Sequence, residues 1–308
     1  MNILTQLVHF LSTDNLELPG LLYKPQTPSK KIALYLHGCG SASIFYSKKT
    51  EIFAQELISK NIAFFPFNNR GAHYIKKLKK ILPDGEEDRV TCGTSYELIK
   101  DCIHDIDGAV SYLKTLGYET FYLFGESTGA NKIVVYNYYS KRDPFSKYAL
   151  IAGGDDTGLY YSQLGKTKFF QALQKSKGEI IKGNGMKLVP KYISESPFSY
   201  QSLYDVLNPD GDYNIFPFYE YVHNLNLSKK ELFCEFNKIN KQTLVVYGSD
   251  DEYCYNDVPA CINALKKHAR NKNLFTFQTI PNCGHGFDGK EEELAKIVVA
   301  FFNSTTGR

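Results

Sequence analysis

Phe121-Tyr122-Leu123-Phe124-Gly125-Glu126-Ser127-Thr128-Gly129-Ala130-Asn131-Lys132-Ile133-Val134-Val135-Tyr136 is the stretch on which the fold turns. An apolar run suited to a buried strand leads into G-x-S-x-G, and a segment able to wind into a helix follows. Such a turn is so tight that its serine takes a strained backbone and tolerates only small neighbours. The hydroxyl is then held up at the end of a sheet, where it can attack a carbonyl. Five residues alone would read equally well as a glycine-flanked loop. The flanking strand and helix argue against that.

Outward from this point the chain alternates. Strands are expected at residues 6–11, 16–23, 31–36, 62–67, 121–124, 148–152, 243–247 and 274–280. Helical periodicity is expected at residues 50–60, 96–116, 257–268 and 290–302. Strands alternating with helices imply an α/β fold, a parallel sheet covered on both faces. Sites on such sheets lie at the carboxyl ends of the strands.

The composition fits one large α/β domain with an insertion: 308 residues, 43% hydrophobic and 22% charged. A net charge of +3 gives no reason to expect nucleic acid or an anionic membrane as partner. No apolar stretch has the length of a spanning helix. The opening residues lack a basic region and a cleavage site, and they read as a strand rather than a leader. Seven cysteines without tight spacing favour reduced thiols and a cytoplasmic location. The 23 Tyr and 21 Phe are enough to fill both a core and a pocket.

A reactive serine needs a base, an acid to orient that base, and donors for the oxyanion. His285 lies in the loop Pro281-Asn282-Cys283-Gly284-His285-Gly286-Phe287 after the last strand. Gly248-Ser249-Asp250-Asp251-Glu252 follows the strand before it, with Asp251 the expected acid and Asp250 the alternative. Asp is also common in turns, so one of the pair is expected to have only that role. Asp155 and Asp156 are outside candidates. The oxyanion donors are expected to be the Thr128 N–H and, from His37-Gly38-Cys39-Gly40, the Cys39 N–H, with Gly40 as alternative.

With these residues in place the chain resembles the α/β-hydrolase superfamily over nearly its whole length. The resemblance rests on His37-Gly38, the serine elbow, Asp251 and the Gly-His285-Gly loop, in the order Ser, Asp, His. It implies an α/β-hydrolase fold with a mostly parallel eight-stranded sheet, helices on both faces and a lid inserted after the sixth strand. Residues 1–154 and 242–308 would form the core, and residues 155–241 the lid. Phe67-Asn68-Asn69-Arg70-Gly71, Gly93-Thr94-Ser95-Tyr96-Glu97 and Glu126-Ser127-Thr128-Gly129 resemble an uncharacterised branch that includes fungal siderophore-ester hydrolases. Glu126 stands where histidine is common in the superfamily. Asn69 and Arg70 follow the fourth strand and would bind a polar or anionic substrate group, or else form a turn ion pair.

The insertion is rich in aromatic residues, among them Tyr160-Tyr161, Phe169-Phe170, Phe216 and Phe218. It would wall an aromatic-lined acyl or aryl pocket, pack as a satellite core, or do both. The charged segment 72–92 reads as a solvated loop. Converging His37, Cys39, Cys283 and His285 would make a zinc site, but that would waste the serine. The expected activity is a serine hydrolase acting on a small-molecule carboxylic ester, without cofactor or metal and without nucleic-acid or membrane partners. A thioesterase or acyltransferase would use the same residues, and a catalytically silent ligand-binding protein is the alternative outside enzymes. Oligomeric state is left open by the sequence.

Overall fold

Each of the eight apolar runs becomes a strand of one sheet in the computed structural model, which describes residues 3–304. In chain order these are β1 (Leu4–Leu11), β2 (Glu17–Lys24), β3 (Lys31–Leu36) and β4 (Ala63–Phe67), then, after the separate hairpin of β5 (Lys76–Ile81) and β6 (Glu87–Cys92), β7 (Thr120–Glu126), β8 (Phe145–Ile151), β9 (Gln242–Gly248) and β10 (Phe275–Ile280). The spatial order is β1-β2-β4-β3-β7-β8-β9-β10. The β1–β2 and β2–β4 pairings are antiparallel, and all the others in the sheet are parallel. The β2–β4 pairing keeps only two registered pairs, Gly20 with Phe67 and Tyr23 with Phe64. Pro66 lies between them in β4 and has no N–H for the ladder.

The central strands β3, β4, β7 and β9 are almost wholly buried, which is why they read as continuous apolar runs rather than alternating ones. Helices α1 (Lys48–Ser59), α2 (Cys102–Thr115), α3 (Thr128–Tyr139), α7 (Val258–His268) and α8 (Glu291–Asn303) cover the two faces, α1 packing on α8 and α2 on α3. Phe124 of β7 contacts Phe53 of α1, Phe64 of β4 and Phe302 of α8, with ring centroids 4.9, 5.7 and 5.9 Å apart. One ring thus joins sheet and helices directly beneath the serine turn.

Two regions differ from the sequence reading. Helix α2 begins later than expected. Residues 99–101 form a 3₁₀ turn ahead of it, with Ile99 N donating to Asp205 Oδ2 (2.9 Å). The charged segment expected as a loop instead forms the β5–β6 hairpin. Leu78 opposite Val90 supplies its apolar contact, and Lys79 reaches Glu87 (2.9 Å).

Between β8 and β9, the sixth and seventh strands of the sheet, lie α4 (Asp156–Ile181), α5 (Tyr200–Leu207) and α6 (Phe218–Val222). Gly165 breaks α4, with φ 70° and ψ 161°. Most aromatic rings of this segment pack on one another or on the core, as in Tyr161 on Phe169 and Phe216 on Phe218.

Candidate active site

The turn between β7 and α3 is built by what its glycines leave out. A Cβ on Gly125 would lie 2.7 Å from the Gly129 backbone, and one on Gly129 only 2.2 Å from Leu36 O. Both glycines are therefore required for α3 to start against the end of β3. Ser127 pays with a left-handed backbone, φ 54° and ψ −128°, a region that strongly disfavours non-glycine residues. Its N–H donates to Ile151 O of the neighbouring β8 (2.9 Å), and its side chain stays partly exposed.

On the other side of the rim, His285 is held at several points. Its Nδ1 lies 3.1 Å from both oxygens of Asp251, which is 1% exposed. Asp251 Oδ1 also accepts from Tyr253 N (3.0 Å), which fixes the carboxylate. The backbone N–H of His285 donates to Glu252 Oε2 (3.0 Å), and this bond holds the Glu252 carboxyl below its ordinary range. The Tyr253 ring meets the imidazole edge-on, centroids 4.5 Å apart. Asp250 is exposed and accepts only from its neighbour Ser249. Of the two adjacent acids, Asp251 is the one that contacts His285.

Ser127 and His285 open on one cavity of about 510 Å³. Among the described residues no hydrogen bond joins them directly. Gly38 presses against the serine: a Cβ there would lie 3.2 Å from Ser127 Cβ. Among the described residues, neither the Cys39 nor the Thr128 N–H donates to a protein acceptor. Gly40 N instead donates to Thr94 Oγ1 (2.9 Å), which removes it as an alternative oxyanion donor. His37 is buried with Nδ1 against Gly38 O (2.7 Å). Burial and the nearby Lys132 push its imidazole down to about 3, so it is neutral.

Asn69 and Arg70 are not in this cavity. Arg70 is turned to Asp105 (2.8 Å), Asp14 (2.7 Å) and Asp101 (3.5 Å), and it lines a different cavity of about 220 Å³. Asn69 Oδ1 accepts from Gly71 N (3.0 Å) and from the buried Lys132 (3.1 Å). Three carboxylates outbid any substrate for Arg70, so the ion-pair reading replaces the substrate-binding one. The four residues considered for zinc do not converge either: Cys283 Sγ donates to Ile280 O (3.4 Å), and the described residues hold no metal-ligating group of three or more such side chains.

Two residues of the cavity carry more than their sequence positions indicated. Lys49, at the start of α1, forms an ion pair with Glu126 and donates to Gly286 O (2.9 Å). One ammonium therefore ties the residue before Ser127 to the loop of His285. A charged residue in an otherwise apolar elbow demands a counter-ion, and that demand is the signal that could have pointed to a lysine. Asp156, considered only as an outside triad acid, also lines the cavity, with Leu159, Tyr160, Gln163 and Ser196 from the same insertion. Among the described residues, Tyr160 and Tyr253 are the Tyr and Phe side chains lining it, so the cavity is mixed in polarity rather than aromatic-walled.

A mostly parallel eight-stranded sheet carrying a strained serine between its strand and helix defines an α/β-hydrolase. Residues 92–302 match the family described as "Protein of unknown function (DUF1749)", and the chain belongs to that family. No curated protein matches the sequence. The structure is similar to the siderophore hydrolase EstB from Aspergillus fumigatus (TM-score 0.65, 12% identity, 96% of this chain and 97% of that one). It is also similar to a thermostable carboxyl esterase from Bacillus coagulans (TM-score 0.63, 11% identity, 98% and 99%). A third similar structure is Est1E from Butyrivibrio proteoclasticus with ferulic acid bound (TM-score 0.62, 15% identity, 95% and 97%). No helix among the described residues is long and apolar enough to cross a membrane.

Proposed function

We propose that this protein is a serine hydrolase of small-molecule carboxylic esters. One observation carries the reading: the strained Ser127 and the His285–Asp251 pair open on the same cavity. Proteins named esterase and siderophore hydrolase share the fold, which agrees with it.

In this reading Ser127 Oγ attacks the ester carbonyl while His285 Nε2 takes its proton. Asp251 keeps the other proton on Nδ1 and stabilises the imidazolium as it forms. The tetrahedral oxyanion sits between the Cys39 and Thr128 N–H groups, and Thr128 adds the positive end of α3. His285 returns its proton to the departing alcohol. Water, deprotonated by the same imidazole, then attacks the acyl-serine and releases the acid. The gap between Ser127 and His285 closes when substrate is bound, since such hydrogen bonds are often loose in the empty enzyme. Residues 155–241 act as a cap whose first helix, α4, walls the cavity. The free thiols of all seven cysteines suit a reducing compartment such as the cytosol.

Labelling with a fluorophosphonate probe, followed by turnover of p-nitrophenyl esters of graded chain length, tests this. The S127A protein should lose labelling and fall by about 10³- to 10⁶-fold in kcat. Unchanged turnover by folded S127A would end the proposal. Acyl-CoA and aminoacyl amide substrates in the same panel separate ester hydrolysis from thioester and amide cleavage.

A further inference from the structure

Two neighbouring carboxylates at the end of β8 are treated in opposite ways. The loop that carries them is firmly placed: Asn131 of α3 pairs with Gly154 through both its amide groups (2.8 and 3.0 Å), and Tyr247 Oη donates to Gly153 O (2.7 Å). Asp155 then receives Gly158 N (2.8 Å), Tyr219 N (2.7 Å) and Tyr255 Oη (3.0 Å). It caps α4 and fastens α6 to it. Asp156 receives nothing. Its Oδ2 is shielded from solvent without a hydrogen-bond partner, and no described side chain or N–H reaches the carboxylate.

Leaving a buried acceptor unpaired costs about 1–3 kcal/mol, and more when the group is charged. Within the cavity the charges do not cancel. Lys49 is committed to Glu126, and His285 already has Asp251. Asp156 is the carboxylate left over, and it borders both the main cavity and a side pocket of about 40 Å³ beside Cys39, Tyr160 and Tyr213. Burial lifts its carboxyl to about 6, opposed by His285, so it is still ionised at neutral pH. An ionised carboxylate lacking a protein partner, in a cavity that also holds a poised serine, has the character of a recognition group.

Resting on the ester-hydrolase reading, we infer that Asp156 binds a cationic group of the substrate, and that the preferred esters carry an ammonium on their acyl or alcohol part. An ammonium offers up to three donors to the carboxylate, and the Tyr160 and Tyr253 rings in the same lining can face its charge. The cation replaces the donor that the fold omits at the shielded Oδ2 and so offsets the cost of leaving that oxygen unpaired.

Two matched ester pairs test the assignment on the full chain. One compares the p-nitrophenyl esters of ε-aminocaproic and heptanoic acids. The other compares 4-aminobutyl butyrate with pentyl butyrate, in which a methyl group replaces the ammonium. In at least one pair the cationic member should be preferred by about ten- to hundredfold in kcat/KM, the worth of a hydrogen bond to a charged group. In D156N that ratio should fall to about one. Equal use of charged and neutral esters by the wild type, or a preference that survives D156N, overturns the inference. Calorimetric titration of S127A with hexylammonium and with hexanol gives a readout independent of turnover. Saturable binding of the ammonium alone, lost in the S127A/D156N protein, supports the site even if no ester is cleaved. Absence of ammonium binding while neutral esters are hydrolysed rejects the site and leaves the hydrolase reading standing.

Discussion

The two walls of the cavity are built on opposite principles. On the wall made by the rim of the sheet, each charged group has a partner: Asp251 has His285 and Tyr253 N, Glu252 has His285 N, and Glu126 has Lys49 at one of its two oxygens, the other being buried and unpaired. On the wall made by the insertion, Asp156 has no partner, and Leu159, Tyr160 and Gln163 of the same helix share its side of the cavity. A group that must hold one geometry through a reaction is served by bonds that do not change. A group that must choose among ligands is better left with its bonding capacity free. Under the proposed function, this contrast gives chemistry to the rim and choice to the insertion.

The sharpest break of this contrast lies on the rim. In D251N the amide cannot act as the anionic partner of His285, and kcat should drop by about 10⁴-fold with the fold intact by circular dichroism. D250N alters an exposed turn and should stay within about twofold of wild type. Equal effects from the two substitutions would detach Asp251 from any special role.

Next in size is the tie between the elbow and the histidine loop. K49M removes the ammonium that joins Glu126 to Gly286 O. A misplacement of about 1 Å at His285 costs about 10²-fold, here in kcat with little change in KM. The substitution also strands a largely buried carboxylate, which should lower stability by about 2–3 kcal/mol. The double variant K49M/E126Q removes both charges. Its stability should recover while kcat stays low, because the bond to Gly286 is still missing. Recovery of both would make Lys49 a mere counter-ion.

How far the sequence disclosed these walls follows from the kind of interaction each uses. The central strands and the elbow were legible because burial on both faces leaves continuous apolar runs, and because glycines at 125 and 129 have a steric reason visible in the motif, while β1, β2 and β10 are only partly buried. The contact between His285 and Asp251 was legible from their places after the last two strands. The β5–β6 hairpin was not: Lys76, Lys77, Lys79 and Lys80 make it read as solvated chain, and its buried apolar residues, Leu78 and Cys92, stand one to a strand and show no alternation. Arg70 stayed open between substrate contact and ion pair because its partners Asp14, Asp101 and Asp105 come from other segments. Lys49 meets Glu126 across 77 residues. The importance of Asp156 lies in bonds it does not make, which no spacing of residues can display.

The smallest effect sharpens the comparison from the insertion side, through stability. The carboxyl of Asp156 is raised from 3.8 to about 6 by burial, with His285 opposing. The groups around it are Cys39, Tyr160, Tyr213 and Tyr253 from the surrounding loops and helices, together with Asp155 beside it. Because the folded value lies above the unfolded one, its contribution to stability is fully present below about pH 3.8 and is lost as pH rises through about 6. An uncharged amide of the same shape escapes that loss. D156N should therefore match wild type near pH 4 and exceed it at pH 8 by about 1–3 kcal/mol, read from thermal or urea unfolding. Asp155 is also raised, to about 7, chiefly by burial and in part by the neighbouring Asp156, so wild-type stability declines over the same range and the difference between the two proteins includes the relief of Asp155 as well as the loss of the Asp156 charge. D155N works against the contrast: it replaces one of the two acceptor oxygens, so either Gly158 or both Tyr219 and Tyr255 lose their acceptor, and it should destabilise at both pH values. If D156N instead weakened the fold at pH 8, the carboxylate would have a partner within the protein, and the division of labour between the two walls would fail.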